Sequence, residues 1–132
     1  GVVQIDGTMN ADGGLYNGNH NSGGSGGGIF IECAKFRGAA YASLTARGTR
    51  GYSNANSNDG GGGGGRIAVW SGKAYHDGIP AHRLIVSETP PAGFAGAIDV
   101  AGGGSSYNND GEPGTVVFVE VLPPFGTMLL LR

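Results

Sequence analysis

The sequence predicts an all-β fold, and three observations lead to that prediction. Glycine accounts for 29 of the 132 residues, against a usual share of roughly 7 %, and most of it lies in three stretches, 13–28, 48–65 and 102–114. The segments between them are short, rich in β-branched and aromatic residues, and bounded by glycine or proline. No segment has the i, i+3, i+4, i+7 apolar spacing of an amphipathic helix. Glycine follows no Gly-X-Y period, which excludes collagen.

Eight segments have the composition and length of β-strands. They are residues 2–9, 29–36, 40–46, 66–70, 83–87, 97–101, 115–122 and 127–131. The segment 115–122 is apolar on both faces, with Val116 and Phe118 on one and Val117 and Val119 on the other. A strand of this kind is buried on both sides, so we expect it to lie inside a sandwiched layer or a subunit contact.

The glycine-rich stretches are repeats of one another. Each begins at an Ala-x-Gly sequence, at Ala11, Ala46 and Ala101, carries a tyrosine close to asparagine, and ends in an apolar strand. The repeat predicts one domain over 1–132, built from three strand–loop–strand units at 1–36, 39–70 and 96–122, with an irregular proline-containing insert at 71–93.

The loops between the strands are either flexible linkers or ordered extended segments. Loops of this length are unusual in a compact domain, but the repeated Tyr-Asn pair favours order, because a linker needs no tyrosine. The predicted architecture is therefore a β-solenoid or layered β-sandwich, with Gly/Asn-rich loops packed as extended, polyglycine-like segments.

Charge and hydropathy exclude two classes of partner. The net charge is −2 and only 14 % of the residues are charged, so the chain has little attraction for phosphate. The longest apolar runs have four residues, against about 20 for a membrane-spanning helix. We expect neither nucleic-acid binding nor membrane insertion. The single cysteine, Cys33, can form no internal disulfide and is expected to be a buried apolar residue.

Catalytic and metal-binding motifs match the sequence only formally. Ser25 stands in a G-x-S-x-G pattern but lacks the following helix of a nucleophile elbow, and the G-x-G-x-x-G match at 60–65 is simply six glycines. The histidines lack metal-ligand spacing. The acidic residues of the loops could bind calcium, but their place in glycine-rich turns accounts for them equally well. These histidines and acidic residues are His20, His76, His82, Asp59, Asp110 and Glu112. The sequence predicts no catalytic residue, cofactor or metal site.

Two sets of residues are candidates for binding. Strands at the two ends of the chain, Val2 and Val3 at one and Met128, Leu129, Leu130 and Leu131 at the other, are apolar and uncapped, so we expect them to pair with another chain. The three loop tyrosines, Tyr16, Tyr52 and Tyr107, form an alternative site on which sugar rings stack; the competing interpretation is that each covers its own glycine loop.

The order of motifs resembles a known repeat. GGGGGGRIAV at 60–69, GAIDVAGG at 96–103 and PGTVVFVEV at 113–121 resemble the glycine-rich β-repeat of very large secreted or surface proteins of environmental bacteria. The insert at 71–93 and the ending FGTMLLLR depart from that pattern. The resemblance implies an extracellular or cell-surface location, a structural or adhesive role, and no catalytic residues.

Together these observations predict a structural, non-enzymatic protomer of an extracellular filament or surface layer, which assembles with copies of itself through apolar strand edges. The alternative is a carbohydrate- or surface-binding adhesive module that uses the tyrosines.

Overall fold

The computed structural model describes residues 1–15, 22–51, 59–72, 83–106 and 108–122. Within these residues the chain is all-β and contains no helix. The strands are β1 (Val2–Ile5), β2 (Thr8–Asn10), β3 (Gly28–Glu32), β4 (Lys35–Gly38), β5 (Ser43–Thr45), β6 (Arg66–Ser71), β7 (Arg83–Ser87), β8 (Ala97–Asp99) and β9 (Thr115–Leu122).

The strands form three sheets with the orders β1-β4, β2-β5-β8 and β3-β6-β9-β7. All pairs are parallel except β7 with β9, which is antiparallel. The pairing divides the chain into three tiers. The first tier holds β1, β2 and β3, the second holds β4, β5 and β6, and the third holds β8 and β9. Each tier therefore lies beside the next, in parallel register.

Two predicted strands are each divided in two by the structure. Residues 2–9 bend at Asp6 and Gly7, and residues 29–36 bend at Cys33 and Ala34, where the chain passes from one sheet to another. The second bend has no glycine or proline, so nothing in the composition marks it. The strands at 83–87 and 115–122 coincide with β7 and β9, and the prediction at 127–131 falls outside the described residues.

The core lies between the inward faces of the sheets. Leu44, Ile67 and Val69 are almost completely buried at its centre, and the ring of Phe36 stacks on that of Phe94 with centroids 5.0 Å apart. Each strand contributes alternate residues to this core, as the two-residue period of a strand requires.

Strand β9 is buried on both faces, as the sequence predicts. Phe118 belongs to the core cluster, whereas Val119 and Val121 are buried outside that cluster, on the opposite face of the sheet.

Candidate functional site at the two ends of the stacked tiers

Each tier contains two glycine-rich segments, one that leaves a strand and one that leads into the next. The outgoing segments are 11–15, 46–51 and 100–106, and the returning segments are 22–27, 59–65 and 108–114. Neighbouring segments are joined laterally by hydrogen bonds between backbone N–H groups and backbone carbonyl oxygens. In the second returning segment, Gly61 and Gly64 donate to the third returning segment, while Gly62 and Gly65 donate to the second outgoing segment. Donors that recur every third residue toward the same neighbour indicate a backbone with three residues per turn.

Close packing explains the glycine content of the middle segment. A Cβ atom added to Gly62 or Gly65 would overlap the carbonyl oxygen of Gly24 or Gly27 in the first tier. One added to Gly61 or Gly64 would overlap backbone of the third tier. At Gly63, by contrast, the nearest atom to such a Cβ is 3.7 Å away. Two of every three positions in this segment therefore have no room for a side chain.

The hydrogen bonds between corresponding segments all run in one direction. Gly23 donates to Gly60 at 2.8 Å and Gly48 donates to Ala101 at 2.9 Å. In each such bond among the described residues the N–H belongs to the earlier tier and the carbonyl to the later one. In this set of bonds the first tier therefore leaves carbonyl oxygens and the third tier leaves N–H groups. Bonds from an outgoing segment to the returning segment of the preceding tier, Thr49 to Gly24 and Gly103 to Gly62, run the other way.

The strand register identifies the backbone groups at the two ends of the stack that occupy the same positions as hydrogen-bonded groups in the other tiers. The carbonyls that correspond to the acceptors of the later tiers belong to Asn10, Asp12, Leu15, Ser22 and Ser25. The amides that correspond to the donors of the earlier tiers belong to Val100, Gly102, Asp110 and Ser105, of which Ser105 donates to the Asp110 side chain. None of these groups has a backbone partner among the described residues at its own end of the stack.

Apolar side chains are also uncovered at the first tier. Met9 pairs with Leu44, and the two occupy the same position in successive tiers, yet Met9 is 38 % exposed and Leu44 0 %. The difference arises because Leu44 has a neighbouring strand on both sides and Met9 on one. On β3, Phe30 is 66 % exposed. The predicted assembly residue Val2 is exposed, and Val3 packs partly against the core.

The third tier carries two features that the first lacks. Strand β7 occupies the edge of β9 along residues 118–122, and its side chains Leu84, Ile85 and Val86 are all exposed. Pro113 stands where Gly26 and Gly64 stand in the earlier tiers. Those two glycines donate their N–H to the next tier, and proline has no N–H to donate.

A charged ladder crosses the three tiers where the outgoing segments begin. The Arg47 backbone N–H donates to Asp12 Oδ1 at 2.7 Å, and Arg47 Nη2 lies 2.9 Å from Asp12 Oδ2. These hydrogen bonds from Arg47 lower the pKa of Asp12 from 3.8 to about 2, and Asp12 in turn raises the pKa of Arg47. Asp99 in the third tier lies 3.9 Å from Arg47 Nη1.

The remaining predicted residues lie in different surroundings. Ser25 is exposed, and Cys33 is buried, which raises the pKa of its thiol. The Asp110 carboxylate accepts the Ser105 N–H, which is turn chemistry within one loop, and the described residues contain no group of three metal-ligating side chains. The stacking tyrosines Tyr16, Tyr52 and Tyr107, the histidines, and Met128, Leu129, Leu130 and Leu131 fall outside the described residues.

Sequence reasoning missed the exposed side chains of β3 and β7 as parts of a surface. The run Leu84-Ile85-Val86 places apolar side chains on both faces of a short strand, but their exposure depends on the strands beside β7, which the run itself does not indicate.

No protein-family model, curated protein or solved structure matches this chain. Among the described residues there is no helix with the length and apolar character needed to cross a bilayer.

Proposed function

We propose that the chain is a structural, non-enzymatic protomer of an extracellular filament or surface layer, and that it assembles head to tail, first tier against third tier. In this proposal the three tiers form a β-solenoid, and the glycine-rich segments pack as extended, polyglycine-like chains. The extracellular setting follows from the resemblance to glycine-rich surface repeats.

The observation that carries this proposal is the complementarity of the two ends. Among the described residues, the terminal carbonyl oxygens of the first tier match terminal N–H groups of the third, as a head-to-tail stack requires, except that Ser25 corresponds to Pro113, which has no N–H. Two first-tier ends placed together would instead bring acceptor against acceptor in the glycine-rich segments, and unpaired buried carbonyls cost free energy. A heterologous contact that does not close generates an open filament.

Gly27 provides independent support for a neighbour at the first tier. Its counterparts Gly65 and Gly114 must be glycine, because a Cβ there would overlap the backbone of the preceding tier. At Gly27 itself the nearest atom to such a Cβ is 3.4 Å away, an ordinary contact. The chain's own fold therefore gives Gly27 no steric reason to be glycine, whereas a preceding tier from another copy does.

The matched variants Gly27→Lys and Ser25→Lys test the proposal. The lysine at position 27 points to where the next copy would lie, while position 25 corresponds to Gly63, whose Cβ direction is open. We expect the parent and Ser25→Lys to form filaments in negative-stain electron microscopy and concentration-dependent oligomers in sedimentation velocity. Gly27→Lys should keep the parent's circular dichroism spectrum and sediment as a monomer.

Two results would contradict the proposal. One is a parent chain that remains monomeric at about 100 μM, well above the range of specific assembly contacts. The other is a folded Gly27→Lys chain that assembles as the parent does. The adhesive alternative stays a prediction of the sequence, and glycan binding that is lost in Tyr52→Ala would favour it.

A further inference from the structure

The sheet β3-β6-β9-β7 ends in two strands that expose apolar side chains. Phe30 on β3 is 66 % exposed and Val86 on β7 is 64 % exposed. Exposed apolar edge strands promote pairing with another chain. Most of the large exposed apolar residues of the described chain lie either in the first tier or on β7.

Phe30 and Val86 project from the same face of this sheet. Phe30 is in register with Ala68 and Val117, and Val86 is in register with Val119. Since residues 117 and 119 of one strand point to the same side, both exposed side chains lie on that side, opposite to the core residue Phe118.

We infer that β3 of one copy pairs with β7 of the next copy, in the antiparallel direction, and that this contact is the apolar part of the head-to-tail joint. The inference rests on the proposed function and names the surfaces that meet. β7 runs opposite to β3, β6 and β9, so copies stacked in the same direction bring these two edges together antiparallel. Aromatic and β-branched residues are favourable partners across antiparallel strands.

The position of β7 explains why β3 of the next copy meets β7 rather than β9. β7 already occupies β9 along residues 118–122, the same stretch that β3 would need over part of its length. Among the described residues, no strand pairs with the outer edge of β9 at Thr115–Val117, where Thr115 and Val116 line a cleft with Val100, Gly114 and Glu88. Strand β3 of the next copy therefore lies along the outer edge of β7, one strand spacing beyond β9.

The experiment uses two single variants, Phe30→Lys and Val86→Lys, with Tyr41→Lys as the matched control. Tyr41 is 72 % exposed but lies in neither edge strand. An edge lysine opposes strand pairing, so each edge variant alone should raise the dissociation constant of assembly at least about tenfold. Tyr41→Lys should assemble like the parent.

A mixture of the two edge variants distinguishes the joint from its alternatives. Phe30→Lys retains an intact β7 and Val86→Lys retains an intact β3. A heterologous joint therefore predicts one-to-one heterodimers in the mixture and nothing longer. Sedimentation velocity with one variant fluorescently labelled measures this directly.

Each contrary result identifies what has failed. Dimers of either edge variant alone indicate β3–β3 or β7–β7 pairing and overturn the inference, as does unchanged assembly of Val86→Lys. If Gly27→Lys blocks assembly while both edge variants leave it intact, this inference fails and the proposed function stands. A parent chain that does not associate overturns both.

Discussion

The atoms nearest to an added Cβ determine which glycines this fold requires. In the returning segment of the second tier the chain is surrounded by other backbones, and only the direction taken by Gly60 and Gly63 is open. A glycine in a homopolymeric run is easily regarded as interchangeable with its neighbours. Here adjacent glycines in the same run differ in what they contact.

The pair Gly62→Ala and Gly63→Ala measures that difference. The new methyl group at 62 would overlap the Gly24 carbonyl, which cannot move without displacing the first tier, so the free energy of unfolding should fall by roughly 2–5 kcal/mol. At 63 the methyl has room, and the unfolded chain loses entropy, so stability should rise or stay within about 1 kcal/mol of the parent. Urea denaturation followed by circular dichroism compares the two. Equal effects would contradict the three-residue packing pattern.

The salt bridge between Asp12 and Arg47 makes stability depend on pH in a defined window. The pKa of Asp12 is about 2 in the folded chain, below its ordinary 3.8. A depressed carboxyl pKa contributes stability above the unfolded value and loses it as the pH falls from about 3.8 to 2. Asp12→Asn should therefore lower the melting temperature by a few degrees at pH 7, and most of the deficit should be lost by pH 2.

The exposed carboxylate Asp6 supplies the control for that measurement. Its hydrogen bond comes from the neighbouring side chain of Gln4 rather than from another tier. Asp6→Asn should leave the melting temperature close to that of the parent across the same pH range. A deficit of Asp12→Asn that persists unchanged at pH 2 would show that the charge of Asp12 is not its cause.

At the scale of elements, the sequence predicts well which segments are strands. It predicts poorly where a strand bends and which strand pairs with each of its edges. The apolar composition of 83–87 and 115–122 identifies β7 and β9 to the residue. The bend at Cys33 and Ala34 has no local signal, because it depends on which sheet receives Lys35 after Glu32. Burial on both faces of β9 was predictable from its composition, but the antiparallel partner on its edge was not.

The candidate site was less predictable than the strands. Exposure of Phe30 depends on β3 being the edge of its sheet, a property of the whole strand order rather than of the residues around it. Pro113 is equally uninformative in isolation. It acquires a role only when its register with Gly26 and Gly64 shows that the other tiers use that N–H.

At the scale of the whole molecule, the number of strands in each sheet predicts the shape of the assembly. The sheet containing β7 has four strands and the sheet β2-β5-β8 has three. At a spacing of about 4.8 Å, one copy advances about 19 Å along the first sheet and about 14 Å along the second. A straight head-to-tail stack cannot satisfy both, because the extra strand widens one side of the joint.

We therefore expect curved or coiled filaments. The extra strand widens one side of the joint by one strand spacing, about 4.8 Å. Across a joint about as wide as a four-residue strand is long, roughly 13 Å, this difference tilts successive copies by about 20°. Class averages from cryo-electron microscopy measure this tilt, and filaments of the control variant Ser25→Lys should share it because the side chain at position 25 takes the open direction found at Gly63. Straight filaments that advance by about 14 Å per copy would mean that β7 leaves the edge of β9 on assembly, and that β3 of the next copy takes its place.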